Sequence, residues 1–218
     1  MIMDYSFHIY NKLSCDGVTM ATEKFLSDFA SKNSKKRGAG TSSTENLTDV
    51  LPNLPPEKIL SPVVVCVGSD LAIGDSLGPI VGSMLKYKTQ GLDFFLYGTL
   101  AAPVTAKEIK YMRSFLRKTH PDHPIIAVDA AVGEKGDIGL IRVTNSPLLP
   151  GAGANKQLGE LGDVSILGIV AEKSVTNYGI LNTTRLNLVY TMSEIISEGL
   201  SALLWNYRQT QKFFLKNA

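Results

Sequence analysis

The strongest hydrophobic signal in the chain is the run 63–67, Val-Val-Val-Cys-Val, which contains no polar position. An unbroken stretch of β-branched and small apolar residues is the pattern of a strand covered on both faces, as in a parallel sheet between helices. Gly68 ends the run and lets the backbone turn. Beyond it, Leu77, Ile80, Val81, Met84 and Leu85 recur at steps of one, three and four, which predicts a helix over about 76–88. The alternation then continues. A short strand over 94–97 ends in Gly98, Thr99 and Leu100. A turn containing Pro103 opens a helix of about 105–119, with Ile109, Met112, Phe115 and Leu116 on its apolar side. A buried strand over 125–128 ends at Asp129. The segment 138–143 reads as a strand paired beside it, and 164–170 as another buried strand. A final helix over about 183–214 carries Leu186, Val189, Met192, Ile196, Leu200, Leu203 and Tyr207, with Gly199 marking a break or bend. Strands alternating with helices predict an α/β fold: three layers, with a mostly parallel sheet between helices.

The first 60 residues read differently. Residues 1–32 begin without a clear element and then form one short helix, on which Ala21, Phe25, Leu26, Phe29 and Ala30 share a face and Thr19 or Thr22 is the cap. Residues 33–60 are rich in Ser, Lys, Gly, Thr and Asn, with three prolines, which is linker composition. The expected organisation is an N-terminal arm over 1–60, disordered or resembling a pro-segment, followed by an α/β domain over 61–218. The stretch 145–162, rich in Gly, Pro and Asn, is long for a loop in a compact domain and is expected to be functional or mobile.

Composition narrows the function classes. Lys and Arg number 22 against 20 Asp and Glu, a net charge of +2, too balanced for an electrostatic footprint on nucleic acid. The basic cluster Lys32, Lys35, Lys36 and Arg37 falls in the polar tract and reads as solvated linker. Two cysteines, Cys15 and Cys66, make no disulfide framework, and Cys66 reads as core. No stretch approaches the ~18 consecutive apolar residues of a membrane span. The N-terminal segment, with Asp4, His8 and Asp16, lacks the apolar region of a signal peptide. The expectation is a soluble, cytoplasmic protein that engages neither membrane nor nucleic acid.

The candidate chemistry lies in two carboxylates. Asp75 follows the 63–67 strand and precedes its helix; Asp129 follows the 125–128 strand. If both strands are central and parallel, both side chains emerge at the carboxyl rim, where ligands bind in open α/β sheets. Asp75 also has a structural reading as a helix N-cap, and Asp129 as a turn residue. Facing carboxylates raise each other's pKa, so that one carries a proton while the other acts as base on a water. A helix N-terminus favours the charged form, which makes Asp75 the candidate base and Asp129 the proton-bearing partner. Other constellations are incomplete. His120 and His123 precede the 125–128 strand and so belong to the opposite rim, leaving a triad through Ser76 without its base. No His or Cys falls at zinc-ligand spacing. Asp70 would add a third carboxylate able to take a hard cation, or is a solvated turn residue.

Gly68-Ser69-Asp70-Leu71-Ala72-Ile73-Gly74-Asp75-Ser76-Leu77-Gly78-Pro79, together with Tyr97-Gly98-Thr99-Leu100 and Asp163-Val164-Ser165-Ile166, resembles the sporulation protein YyaC family. That family is related to the spore germination protease and, more distantly, to the hydrogenase maturation proteases. The resemblance covers about residues 61–198. Gly74-Asp75-Ser76-Leu77-Gly78-Pro79 is similar to the germination protease pattern around one catalytic aspartate, and Asp129-Ala130-Ala131 to the segment bearing the second. The loop Pro150-Gly151-Ala152-Gly153-Ala154-Asn155-Lys156 is similar to a glycine-rich P-G-S-G-x-x-N-K loop of the same family.

The resemblance implies a maturation-protease fold and a sporulation-associated endopeptidase of the aspartate-dyad type, cleaving a protein or peptide substrate, for instance a spore protein, in the cytoplasm of the sporulating cell or spore. Asp75 and Asp129 would be catalytic. Gly68, Ser69, Asp70, Thr99, Gly151, Gly153 and Asn155 would line the substrate cleft. The reading calls for no cofactor and no metal, and leaves self-association open. Two departures stand out. The hydrogenase maturation enzymes place a metal-contacting histidine after a later strand, and Ile169-Val170-Ala171-Glu172-Lys173 contains none. Thr105 stands where the resemblance would place a histidine. A non-catalytic protein that keeps the fold and uses the rim for docking is therefore the alternative.

Overall fold

Neighbouring residues of the first central strand belong to two different cores. Val64 and Cys66 pack into one buried apolar cluster, Val63, Val65 and Val67 into another. Strand β2 (Val63–Cys66) is therefore covered on both faces, which is why its apolar run has no polar alternation. The computed structural model describes residues 2–36, 60–150, 158–173, 181 and 184–217. Within these, the chain runs β1 (Asp4–His8), α1 (Ser14–Lys36), β2, α2 (Leu77–Lys88), β3 (Leu96–Tyr97), α3 (Ile109–Thr119), β4 (Ile125–Gly133), β5 (Leu140–Thr144), β6 (Val164–Glu172) and α4 (Leu186–Asn217). It is an α/β structure with a mostly parallel sheet.

The six strands lie in the order β1-β5-β6-β4-β2-β3. From β6 to β3 every pairing is parallel, whereas β5 runs antiparallel to β6 and β1 antiparallel to β5. Helices α1, α2 and α4 pack on one face, around Val18, Phe25, Leu77, Val81, Met192 and Ile196. Helix α3 covers the other with Ile109, Met112 and Leu116. Sheet order reverses at β2, since β3 lies on one side of it and β4 on the other. In such sheets the crevice outside the carboxyl ends at that reversal is the usual ligand position.

The structure differs from the sequence reading in four places. Residues 4–8 form a strand: Tyr5 and Phe7, with Met3 and Ile9 flanking it, pack against the core, and β1 pairs with β5 from Asp4↔Thr144 to His8↔Leu140. Helix α1 begins at Ser14 and runs 23 residues, so Thr19 and Thr22 are not caps. Their hydroxyls bond back to Cys15 O at 3.1 Å and Val18 O at 2.7 Å. Strand β5 does not pair with β4, because β6 lies between them. Helix α4 is continuous through Gly199. There α1 crosses so closely that a Cβ would lie 2.9 Å from Val18 Cγ1, and Gly199 O accepts the Thr19 hydroxyl at 3.0 Å. The glycine supplies room for a helix crossing. Residues 4–36 thus share the sheet and core of the rest of the chain, while 37–59, the larger part of the polar tract, lie outside the described residues.

Candidate active site

The site is built on the ends of β2 and β4. Their register runs Val63↔Ile125 to Cys66↔Val128, and Val67 N–H continues it by donating to Val128 O at 2.7 Å. Gly68 then leaves the sheet with φ +139°, a conformation costly for any residue with a Cβ. Its N–H donates to Val104 O at 3.0 Å, and a Cβ on it would lie 2.1 Å from Asp75 O. Residues 69–75 make a closed excursion, pinned by Ser69 N–H to Asp75 O at 3.0 Å. Gly78 permits the return, since a Cβ there would meet Val67 O at 2.0 Å. These two close approaches seat the single 3-10 turn Gly74–Ser76, and with it Asp75, over the end of the sheet and against β4.

Asp75 is half-buried, and it does not cap a helix. The residue at the start of α2 is Ser76, whose hydroxyl donates to Ile73 O at 2.6 Å instead of capping. Burial pushes the Asp75 carboxyl up from its ordinary value, with a Ser69 N–H pulling the other way. Asp129 is more deeply placed. Strand β4 does not end before it but continues to Gly133, pairing Asp129 with Leu167 of β6, so the residue lies within the sheet. It is 8% exposed, and its Oδ1 accepts the Ala130 N–H at 2.8 Å. Strand alternation puts it on the α3 side, following Ala127. Its pKa is driven well upward, first by burial and then by the charge of Asp75. The two acids, 54 positions apart, are therefore within electrostatic reach of each other.

The other anticipated residues divide. Gly68 and Ser69 stand at the base of the excursion, where Ser69 Oγ accepts the Leu71 N–H at 3.2 Å. Thr99 sits on the same rim beyond β3, in a tight turn in which Thr99 and Ala102 exchange N–H···O bonds of 3.1 Å. Asp70 is exposed and does not join the acid pair. Among the described residues no cluster of three or more His, Cys, Asp or Glu side chains could hold a metal ion. Gly151, Gly153 and Asn155 lie outside the described residues. His120 and His123 are at the amino ends of the strands, where His123 Nδ1 is 2.9 Å from Ser61 O.

One contributor escaped the sequence reading, and the bonding of a second, Thr105, was not anticipated. Gly74 is overlain by Leu181 and Thr184, both within 2.9 Å of where its Cβ would be, so these two residues cover the turn that bears Asp75. Thr105 opens the approach to α3, its N–H donating to Glu108 Oε2 at 3.0 Å while its hydroxyl meets the same carboxylate. These bonds close a local turn just before α3.

A sequence profile for a family described as "Protein of unknown function (DUF1256)" matches residues 33–199, a span that contains both aspartates. The chain belongs to this family. It is also 45% identical over 139 residues to the uncharacterized protein YyaC of Bacillus subtilis (strain 168), an overlap covering 64% of this chain and 67% of that protein. The family match begins before β2 and ends within α4, so it takes in every strand of the parallel part of the sheet. No helix among the described residues is long and apolar enough to cross a membrane.

Proposed function

We propose that this family member is a peptidase of the aspartate type, acting on a protein substrate in the cytoplasm of a sporulating cell or spore. The observation that carries the reading is the state of Asp129: a buried carboxyl on a central strand whose pKa is raised by burial and by the charge of Asp75. An acid so displaced keeps its proton to higher pH than an ordinary aspartate and can donate it. Asp75, less buried, is the member of the pair that ionises first and serves as base. In the step this supports, Asp75 takes a proton from water, the oxygen of that water bonds to the amide carbon, and Asp129 gives its proton to the carbonyl oxygen. Collapse of the adduct breaks the C–N bond as one of its hydroxyls returns a proton to Asp129, and the proton held on Asp75 passes to the departing nitrogen. The spore setting rests on the resemblance of the 74–79, 129–131 and 150–156 segments to the germination protease patterns. The test is incubation of purified protein with candidate spore proteins, with new termini mapped by mass spectrometry. Asp75→Asn and Asp129→Asn serve as the paired controls.

One observation favours the second reading, a binding protein that keeps the rim for docking. Thr105, at the position where a histidine would assist catalysis, is engaged through its N–H and hydroxyl with the Glu108 carboxylate, so it has a structural task of its own. If no substrate is cut but a spore protein is retained on the immobilised chain and released by Asp75→Arg, the docking role is the correct one.

A further inference from the structure

The opposite rim of the sheet, at the amino ends of β2, β4 and β6, holds a cavity of about 570 Å³. That volume is within the range of small-molecule sites. One wall is a stripe of α3 and its C-terminal cap residue: Arg113, Arg117 and His120, at i, i+4 and i+7, fall along one face. Arg117 also has an ordinary role, since a cation in the last turn of a helix offsets the helix dipole. Arg113 does not. It is half-buried, and its Nε is buried without a hydrogen-bond partner. Gly159, at φ +81°, lies so close to it that a Cβ there would be 2.3 Å from Arg113 Nη1. The backbone is thus shaped to admit the guanidinium.

The second orphan is on the same wall. His120 is 5% exposed; its Nε2 is 2.7 Å from the Tyr97 hydroxyl, and its Nδ1 is buried with no partner. Buried polar atoms without partners are uncommon, and two on residues that line one cavity ask for a common explanation. Burial and neighbouring His123 push the His120 pKa down, so the ring is neutral, and burial keeps the proton on Tyr97. In the tautomer whose Nε2 accepts from Tyr97 O–H, Nδ1–H is left as a donor, like Arg113 Nε–H. The acids of the cavity do not answer either: Asp163 Oδ2 accepts the Ile125 N–H at 2.8 Å, and Glu160 is exposed at its edge.

We propose that this cavity is a binding site for a small molecule bearing an oxyanion, a carboxylate or a phosphate, which accepts from Arg113 and His120. Arginine suits either group because its planar fork pairs two oxygens at once. The site is separate from the acid pair, across the length of the parallel strands, and does not depend on peptidase activity.

Inorganic phosphate and acetate are the probes, titrated into the purified chain at constant ionic strength against chloride, with melting temperature and calorimetry as readouts. At least one of the two should raise the melting temperature saturably, and which one does identifies the group. Arg113→Met should weaken that response about tenfold or more. Arg113→Lys should retain part of it, and Asp75→Asn all of it. In the unsubstituted protein, phenylglyoxal labelling of Arg113, mapped by mass spectrometry, should slow in the presence of the effective anion, while labelling of exposed Arg185 does not. Absence of any saturable response beyond chloride, an equal response in Arg113→Met, or unprotected Arg113 in the intact protein would overturn the proposal. The labelling arm decides the matter if the methionine variant does not fold.

Discussion

Asp75 raises the pKa of Asp129 although 54 residues separate them, because β2 and β4 are paired neighbours and the glycines at 68 and 78 fold the loop after β2 back over the sheet. The consequences of that relationship are measurable.

The first concerns turnover. General acid and base groups each contribute roughly 10²–10⁴-fold to a rate. Asp75→Asn and Asp129→Asn should each reduce cleavage of a spore-protein substrate by at least about 100-fold, with circular dichroism unchanged. Retention of full cleavage by either variant would remove that residue from the mechanism.

The second concerns pH. Asp129 has a folded-state pKa above that of an unfolded aspartate, so its protonated form favours folding. The stability linked to it is complete below about pH 4 and is lost as pH rises through the folded pKa. Asp75 and Asp163, both raised by burial, act in the same direction. Asp129→Asn keeps an acceptor for the Ala130 N–H but cannot ionise. It should be more stable than the parent at pH 7 by about 1 kcal/mol or more, with the difference vanishing near pH 4. Urea denaturation at the two pH values measures this; a less stable variant at pH 7 would contradict the burial argument.

A third prediction tests the loop geometry. In Gly78→Ala the new methyl would lie 2.0 Å from Val67 O, against backbone that cannot swing away. The expected cost is about 3 kcal/mol or more, through displacement of α2 and of Asp75 with it. Gly91→Ala is the control: φ is +86°, but nothing lies within 4 Å, so only the backbone strain of about 1 kcal/mol remains. Chemical denaturation of the two variants side by side makes the comparison.

The N-terminal segment supplies a fourth. Phe25 on α1 is 1% exposed and its ring is 5.5 Å from that of Tyr5 on β1. Phe25→Ala should destabilise the whole protein by about 3–5 kcal/mol in a single cooperative transition. Exposed Tyr111→Ala should change stability by less than about 0.5 kcal/mol. An early melting of α1 alone, by hydrogen exchange, would show instead that the segment is a separate unit.

What the sequence determined by itself is everything written in local periodicity. The run 63–67, the helical spacing from Leu77 to Leu85 and the apolar stripe of the last helix specify elements from neighbouring residues alone, and they put Asp75 in the loop beyond β2. The reading of β4 stops short, since the strand runs on through Asp129 to Gly133. Even β1 is legible in retrospect, since Met3, Tyr5, Phe7 and Ile9 alternate with polar positions; the signal is short and stands apart from the rest behind α1 and a polar tract. The tertiary structure alone decided which strands become neighbours. Nothing local in 140–144 says that β5 pairs with β6 and β1 and not with β4, because strand partners are chosen by contacts between distant segments. The same holds for chemistry. A carboxyl acquires a raised pKa from the atoms that exclude water around it and from charges brought near it. For Asp129 those come from β6, from the loop after β2 and from Asp75, all remote along the chain. The unpartnered nitrogens of Arg113 and His120 are of the same kind, being defined by what surrounds them after folding.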